Sequence, residues 1–163
     1  MIILQIVTKR QYRGAELSAW NLSRKLIERG HTIVWVGLYP NHDDVLELEH
    51  AMNEDLPGEH KSFFNLQKAQ ALKKIIQTIG VDVIQANGAE TLKYAVAAGM
   101  LGARKPIVYR NISQVSFWMK GSPLKKWVNG FLLNRADRIV SVVEASKNDM
   151  VKCFPVLAKK TSV

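Results

Sequence analysis

Three short polar stretches follow apolar runs in this sequence and carry the residue types that could hold an anion. They are Arg13-Gly14-Ala15-Glu16, Asn87-Gly88 with Glu90, and Arg110-Asn111 with Ser113. Each reads as the turn from a strand into a helix. The first turn of a helix presents backbone N–H groups without helical partners, and these attract phosphate or carboxylate. Gly14 would let a ligand approach the backbone closely. Glu16 also has a plain structural reading, as a carboxylate favoured by the positive end of a helix. Other chemistries find little support. His31, His42, His50 and His60 form no i, i+4 pair and have no cysteine partner at ligand spacing, so no metal site is expected. Ser141, Ser146 and Cys153 lack a G-x-S-x-G setting, and no P-loop is present.

The elements that must position these turns follow from the apolar pattern. Ile2 to Val7 is a run of branched apolar residues, the mark of a strand covered on both faces. A helix follows, with Leu17, Trp20, Leu26 and Ile27 on one stripe and Gly30 as its stop. Residues 31–37 form a second strand, and the acidic segment 41–60 has only a weak helical stripe. Residues 61–66 offer a third strand before a helix marked by Ala69, Leu72, Ile75, Ile76 and Ile79. Further strands are expected at 81–86, from 105, and at 138–143, with helices from Ala89, from Ser122-Pro123 and from Glu144. Strands alternating with helices predict one domain over residues 1–163, a doubly wound parallel sheet of the Rossmann-like, three-layer α/β/α class. Ligands of such sheets bind outside the carboxyl ends of the strands. The three polar turns would share that end, unless they are polar merely because loops are solvated.

Composition narrows the partners. Apolar residues make up 47% and charged residues 23%, the mix of a folded globular chain. Residues 104–163 hold 12 Lys and Arg against 3 Asp and Glu, so the whole net charge of +9 lies there. That asymmetry points to an anionic partner. Phe117-Trp118-Met119-Lys120 and the helix with Lys125, Lys126 and Trp127 admit an anionic membrane surface. The stripe Leu124, Trp127, Val128, Phe131 and Leu132 more often marks core, and the core reading is preferred for Trp127 and Phe131. Nucleic acid is an unlikely partner, since no helix-turn-helix, zinc-finger or RNP-like pattern occurs. The sequence has no run of eighteen apolar residues, opens without a leader pattern and contains one cysteine, so a cytoplasmic location is expected.

Four pieces carry a family resemblance. Arg13-Gly14-Ala15-Glu16 is similar to a Gly-Gly-Ala-Glu turn, and Leu26-Ile27-Glu28-Arg29-Gly30-His31-Thr32-Ile33-Val34 is close to L-x-x-R-G-H-x-V. Val81-Asp82-Val83-Ile84-Gln85-Ala86-Asn87-Gly88 resembles x-D-V-(V/I)-H-x-H-(G/S), and Ala136-Asp137-Arg138-Ile139-Val140 with Glu144-Ala145 resembles A-D-x-(I/V)-(V/I)-x-x-S-E-A. In this order and spacing they resemble the N-terminal half of GT-B glycosyltransferases of family 4.

The resemblance implies an acceptor-binding domain, paired with a C-terminal Rossmann-like domain that holds most of a nucleotide-sugar donor. That donor is a substrate, and no cofactor is implied. Arg13 to Glu16 would face the cleft and the phosphates. Arg110 would stabilise phosphate charge, and Asn87 and Asn111, with Gly88, Ser113 and Glu144, are candidates to hold a glycan or lipid-linked acceptor. Trp118, Lys120, Lys125 and Lys126 are candidates for an anionic patch at the inner membrane face. The family's E-x7-E motif has no counterpart, because no two glutamates here are eight positions apart. The chain alone is therefore expected not to turn over. Arg13 replaces the first glycine, Gln85 and Asn87 replace both histidines of the fourth-strand motif, and Val143 takes the serine's place. These departures leave the acid and base unassigned. Two rivals stand beside this reading: a non-catalytic doubly wound binding module and a nucleic-acid-binding α/β domain.

Overall fold

The strands β1 (Ile2–Lys9) and β2 (Thr32–Tyr39) are buried without a break from Ile3 to Val7 and from Ile33 to Tyr39. Such continuous burial requires cover on both faces. The computed structural model describes residues 1–58, 63–119 and 122–163, and the backbone alone of Trp118. On one face Ile3, Val7, Ile33 and Trp35 pack with Ala19 of α1 (Gly14–Glu28) and with Leu46 and Leu48 of the connection after β2. On the other, Leu4, Ile6, Val34, Val36 and Leu38 join Ala69, Leu72 and Ile76 of α2 (Leu66–Ile79) and Leu92 of α3 (Ala89–Ala98). The remaining strands are β3 (Met52–Asp55), β4 (Val83–Asn87), β5 (Ile107–Asn111), β6 (Arg138–Ser141) and β7 (Thr161–Ser162). Among the described residues all pairs are parallel, in the order β3-β2-β1-β4-β5-β6-β7. Helices α4 (Val115–Met119), α5 (Pro123–Asn134) and α6 (Glu144–Cys153) contribute to the same core cluster as α2 and α3. This is the doubly wound, Rossmann-like parallel sheet that the sequence predicts.

Local signals account for several boundaries. The Asn65 side chain accepts from the N–H groups of Gln67 and Lys68 and so caps α2, whose stop is Gly80 at φ 73°. Ser122 caps α5 by accepting from the N–H of Lys125, and Pro123 follows it. The two motif aspartates pin the start of neighbouring strands. Asp82 accepts from the N–H of Ile2 at 2.7 Å, and Asp137 accepts from that of Ile107 at 2.8 Å. In each case the aspartate's own N–H donates back to the same residue's carbonyl at 2.8 Å. These carboxylates set register rather than chemistry.

Two expectations are corrected. The third strand is Met52–Asp55, not residues 61–66. Lys61 and Ser62 lie outside the described residues, Asn65 is the cap of α2 and Leu66 its first residue. Met52-Asn53-Glu54-Asp55 shows no apolar alternation because its polar side chains find partners. Asn53 exchanges hydrogen bonds with the Leu48 backbone, and Asp55 pairs with Arg10 at 2.7 Å. The second correction concerns α5. Trp127 is 70% exposed, Phe131 37% and Leu124 68%, so that stripe is not core. The helix reaches the core through Leu133 and part of Leu132, while Trp127 stacks on Phe131 at 6.3 Å on the surface.

Candidate functional site

The strand order reverses direction at β1 and β4, which pair directly, and this is where an open parallel sheet forms its crevice. Helix α1 starts from β1 and α3 from β4, so Arg13-Gly14 and Asn87-Gly88 flank that point. Arg13 is the extended N-cap of α1, and its carbonyl accepts the first helical bond, from the N–H of Leu17 at 2.8 Å. The N–H groups of Gly14, Ala15 and Glu16 therefore precede the helical ladder. Gly88 caps α3 at φ +112°, a conformation that a side chain would strain, and its carbonyl accepts from the N–H of Leu92 at 3.1 Å. Helix α6 begins after Val143 in the same manner. Among the described residues no side chain caps α1, α3 or α6, whereas α2 and α5 carry their own caps. A Cβ added at Gly14 would meet nothing within 4 Å, so the α1 turn is open.

The side chains of the crevice form a connected polar layer. Arg110, in register with Asn87, reaches across to α1, where it donates to the Ala15 carbonyl at 3.3 Å and to the Ser18 hydroxyl at 2.5 Å. Its half-burial lowers the guanidinium pKa from the ordinary arginine value. Asn87 is buried and donates to Gln5 Oε1 and to the Ile6 carbonyl, both at 3.1 Å. It accepts from Gln85 at 3.1 Å, and Gln5 stands opposite Gln85 in the β1–β4 register. Glu16 is buried and meets Gln11 at 3.5 Å.

The structure thus gathers Arg13, Gly14, Ala15, Glu16, Asn87, Gly88 and Arg110 at one rim. Asn111 is different. Its side chain is fully buried on the opposite face of β5, where its amide donates to the Ser141 hydroxyl and the Ser146 carbonyl. Ser113 lies exposed between β5 and α4, and Glu144, in the first turn of α6, pairs with Lys147 at 3.0 Å. Lys125 and Lys126 are exposed on α5. Lys120 and the Trp118 side chain lie outside the described residues.

A second cluster at the same end joins Glu90 of the Asn87-Gly88 turn to Tyr39, Lys93 and Lys68, which the sequence reading does not single out. The Tyr39 hydroxyl donates to Glu90 at 2.8 Å, and Lys93 pairs with the same carboxylate at 2.8 Å. Burial first, and the bond to Glu90 second, hold the Tyr39 phenol far above its ordinary pKa. Lys68 is buried, with its ammonium bonded to the carbonyls of Leu38, Pro57 and Gly58 and 4.5 Å from the Tyr39 ring centroid. Burial lowers its pKa, and the carbonyls hold the charge in place. Lys68 stands among Gln67 and Gln70 in the first turns of α2, and nothing in its spacing marks it as buried. Among the described residues no three His, Cys, Asp or Glu side chains gather as metal ligands, and no helix is long and apolar enough to cross a membrane.

The family model for Glycosyltransferase Family 4 matches residues 12–163, nearly the whole chain. The chain belongs to glycosyltransferase family 4. A solved structure of Anabaena Alr3699/HepE in complex with UDP and glucose superposes on this family 4 domain with a TM-score of 0.73 at 25% identity, over 100% of this chain and 43% of that one. HepE in complex with UDP-glucose gives 0.76 at 21% identity, with the same coverage. A glycosyltransferase from Rickettsia africae gives 0.66 at 18% identity, covering 99% of this chain and 42% of that chain. A comparison with curated proteins found no match. The fold is that of the N-terminal half of a GT-B glycosyltransferase, and this family 4 chain spans less than half the length of these neighbours.

Proposed function

We propose that this family 4 domain is the acceptor-side half of a glycosyltransferase that moves a sugar from a nucleotide-sugar donor to a glycan or lipid-linked acceptor. The observation that carries the reading is the set of uncapped helix starts at α1 and α3, flanking the sheet's switch point with Arg110 bridging from β5. In the transfer, the bond between the anomeric carbon and the diphosphate oxygen breaks and the acceptor oxygen takes its place, with loss of the acceptor proton. Negative charge grows on the departing diphosphate. The amides of Gly14, Ala15 and Glu16, and the Arg110 guanidinium, are positioned to stabilise that charge without a metal ion. A C-terminal domain would supply most of the donor site, so the isolated chain is expected to be inactive. The Asn87 and Asn111 amides are committed to buried partners. Acceptor contacts then fall to the Gly88–Glu90 turn, Ser113 and Glu144.

The test is transfer by the polypeptide carrying the downstream domain, with UDP-glucose, the ligand in the HepE complex, as the first probe. Arg110→Ala should lower kcat/KM by about 10- to 100-fold, the value of a charge-assisted bond of ~1.5–3 kcal/mol. An unchanged kcat/KM would remove Arg110 from the site. Peripheral attachment to an anionic membrane is part of the proposal, motivated by exposed Leu124, Trp127 and Phe131 beside Lys125 and Lys126. Changing both lysines to glutamate should abolish sedimentation with phosphatidylglycerol vesicles. Retained binding would end the membrane claim.

A further inference from the structure

We propose that the groove between α3 and α5 binds the apolar chain of a phosphate-bearing amphiphile, the carrier of a lipid-linked acceptor. This deepens the glycosyltransferase reading and rests on it. The groove has a volume of 420 Å³, within the ~300–1,000 Å³ of small-molecule sites. Phe63, Ala89, Leu124, Val128 and Leu132 give it apolar walls. It starts at the crevice, because Ala89 is the first residue of α3 after the Asn87-Gly88 turn. A chain lying in it would leave its head group at the rim where transfer takes place.

Charge at the groove selects the ligand's class. Glu90 and Lys93 both line it, but they neutralise each other in an ion pair at 2.8 Å. Lys125 has no hydrogen-bond or ion-pair partner for its ammonium among the described residues. A groove with apolar walls and one unspent cation is matched by a ligand with a hydrocarbon chain and an anionic head. A free sugar would leave the walls wet, and an anionic head would gain an ion pair with Lys125 that an uncharged lipid lacks. Leu124 and Lys125 sit where the groove meets the exposed face of α5, but the aromatic part of that face lies outside the groove. Trp127 and Phe131 line a different depression, together with Val156, on the other side of the helix.

The probe is farnesyl phosphate, titrated as monomer into the 163-residue protein and read by equilibrium dialysis against farnesol and inorganic phosphate. One saturable site is expected. Leu124→Glu, at a position 68% exposed and so tolerant of charge, should weaken binding at least tenfold. Lys125→Ala should weaken farnesyl phosphate several-fold and leave farnesol unaffected. Val156→Glu, outside the groove and 77% exposed, should change nothing. The proposal is overturned by absent saturation, by a Leu124→Glu protein that binds normally, or by displacement of the probe by inorganic phosphate at equal concentration. Equal losses in Leu124→Glu and Val156→Glu would also overturn it, as would Leu124-dependent binding to phosphatidylglycerol vesicles without binding of the monomer. Farnesyl phosphate binding is read without turnover, so loss of the groove leaves the transfer reading intact. Intact binding beside absent transfer by the polypeptide carrying the downstream domain would leave the groove and sink the transfer reading instead.

Discussion

Asp149 shows how a single side chain can hold a short element. Its carboxylate accepts from the N–H of Ser116 at 2.9 Å, at the start of α4. Burial opposes the charge, but the Ser116 hydroxyl and N–H, the Val115 N–H and nearby Lys152 outweigh it and keep the pKa below the ordinary aspartate value. A carboxylate whose pKa is depressed by folding stabilises the protein above its unfolded pKa, and that contribution fades as pH falls through the folded value. Asp149→Ala should cost about 1 kcal/mol near neutral pH, the typical worth of a helix cap. In urea titrations the gap between wild type and variant should close below the ordinary aspartate pKa. A gap that stays constant down the acid limb would contradict this role. Some residue roles were legible in the sequence and others were not. Arg110 follows a strand-like run and was identified as a charge at the rim. Asn111 is its neighbour, yet successive strand residues point to opposite faces, and its partners Ser141 and Ser146 lie 30 and 35 residues away. Its inward direction is a property of the sheet, not of the turn.

At the scale of elements, the legible pieces are those with their own punctuation. Helices α2 and α5 carry Asn65 and Ser122 as caps, and β1 and β2 are apolar throughout. Strand β3 has neither feature. It forms because β2 offers an edge and because Gly37 leaves room for Asp55 to reach Arg10. A Cβ at Gly37 would lie 2.2 Å from Asp55 Oδ1. The pair is held at 2.7 and 3.0 Å by two guanidinium nitrogens and is largely buried. Gly37→Ala should push Asp55 away and leave Arg10 buried without its partner, at a cost of about 3–5 kcal/mol. Chemical denaturation measures it, and a loss below ~1 kcal/mol would mean that β3 can shift to keep the pair. Helix α5 misled for the opposite reason. Its i, i+3, i+4 stripe is regular, but periodicity reports an apolar face without saying what covers it. The core takes Leu133, and Leu124, Trp127 and Phe131 are left outward.

At the scale of the whole molecule, alternation of strands and helices was enough to predict the doubly wound sheet, and with it the end at which a ligand would bind. What alternation could not supply was the order of strands, and hence that the Gly14 and Gly88 turns follow the adjacent strands β1 and β4. That order brings the first two polar turns and Arg110 to one rim. Under the proposed function the amides of this rim receive the phosphates of a nucleotide sugar held mainly by the downstream domain. The decisive measurement follows the amide chemical shifts of the 15N-labelled polypeptide carrying the downstream domain during titration with UDP-glucose. Saturable shifts are expected at Gly14, Ala15, Glu16 and Gly88–Glu90, weakened in Arg110→Ala. Shifts confined to the downstream domain or to the basic helices of residues 104–163, with the rim amides unmoved, would contradict the proposed function.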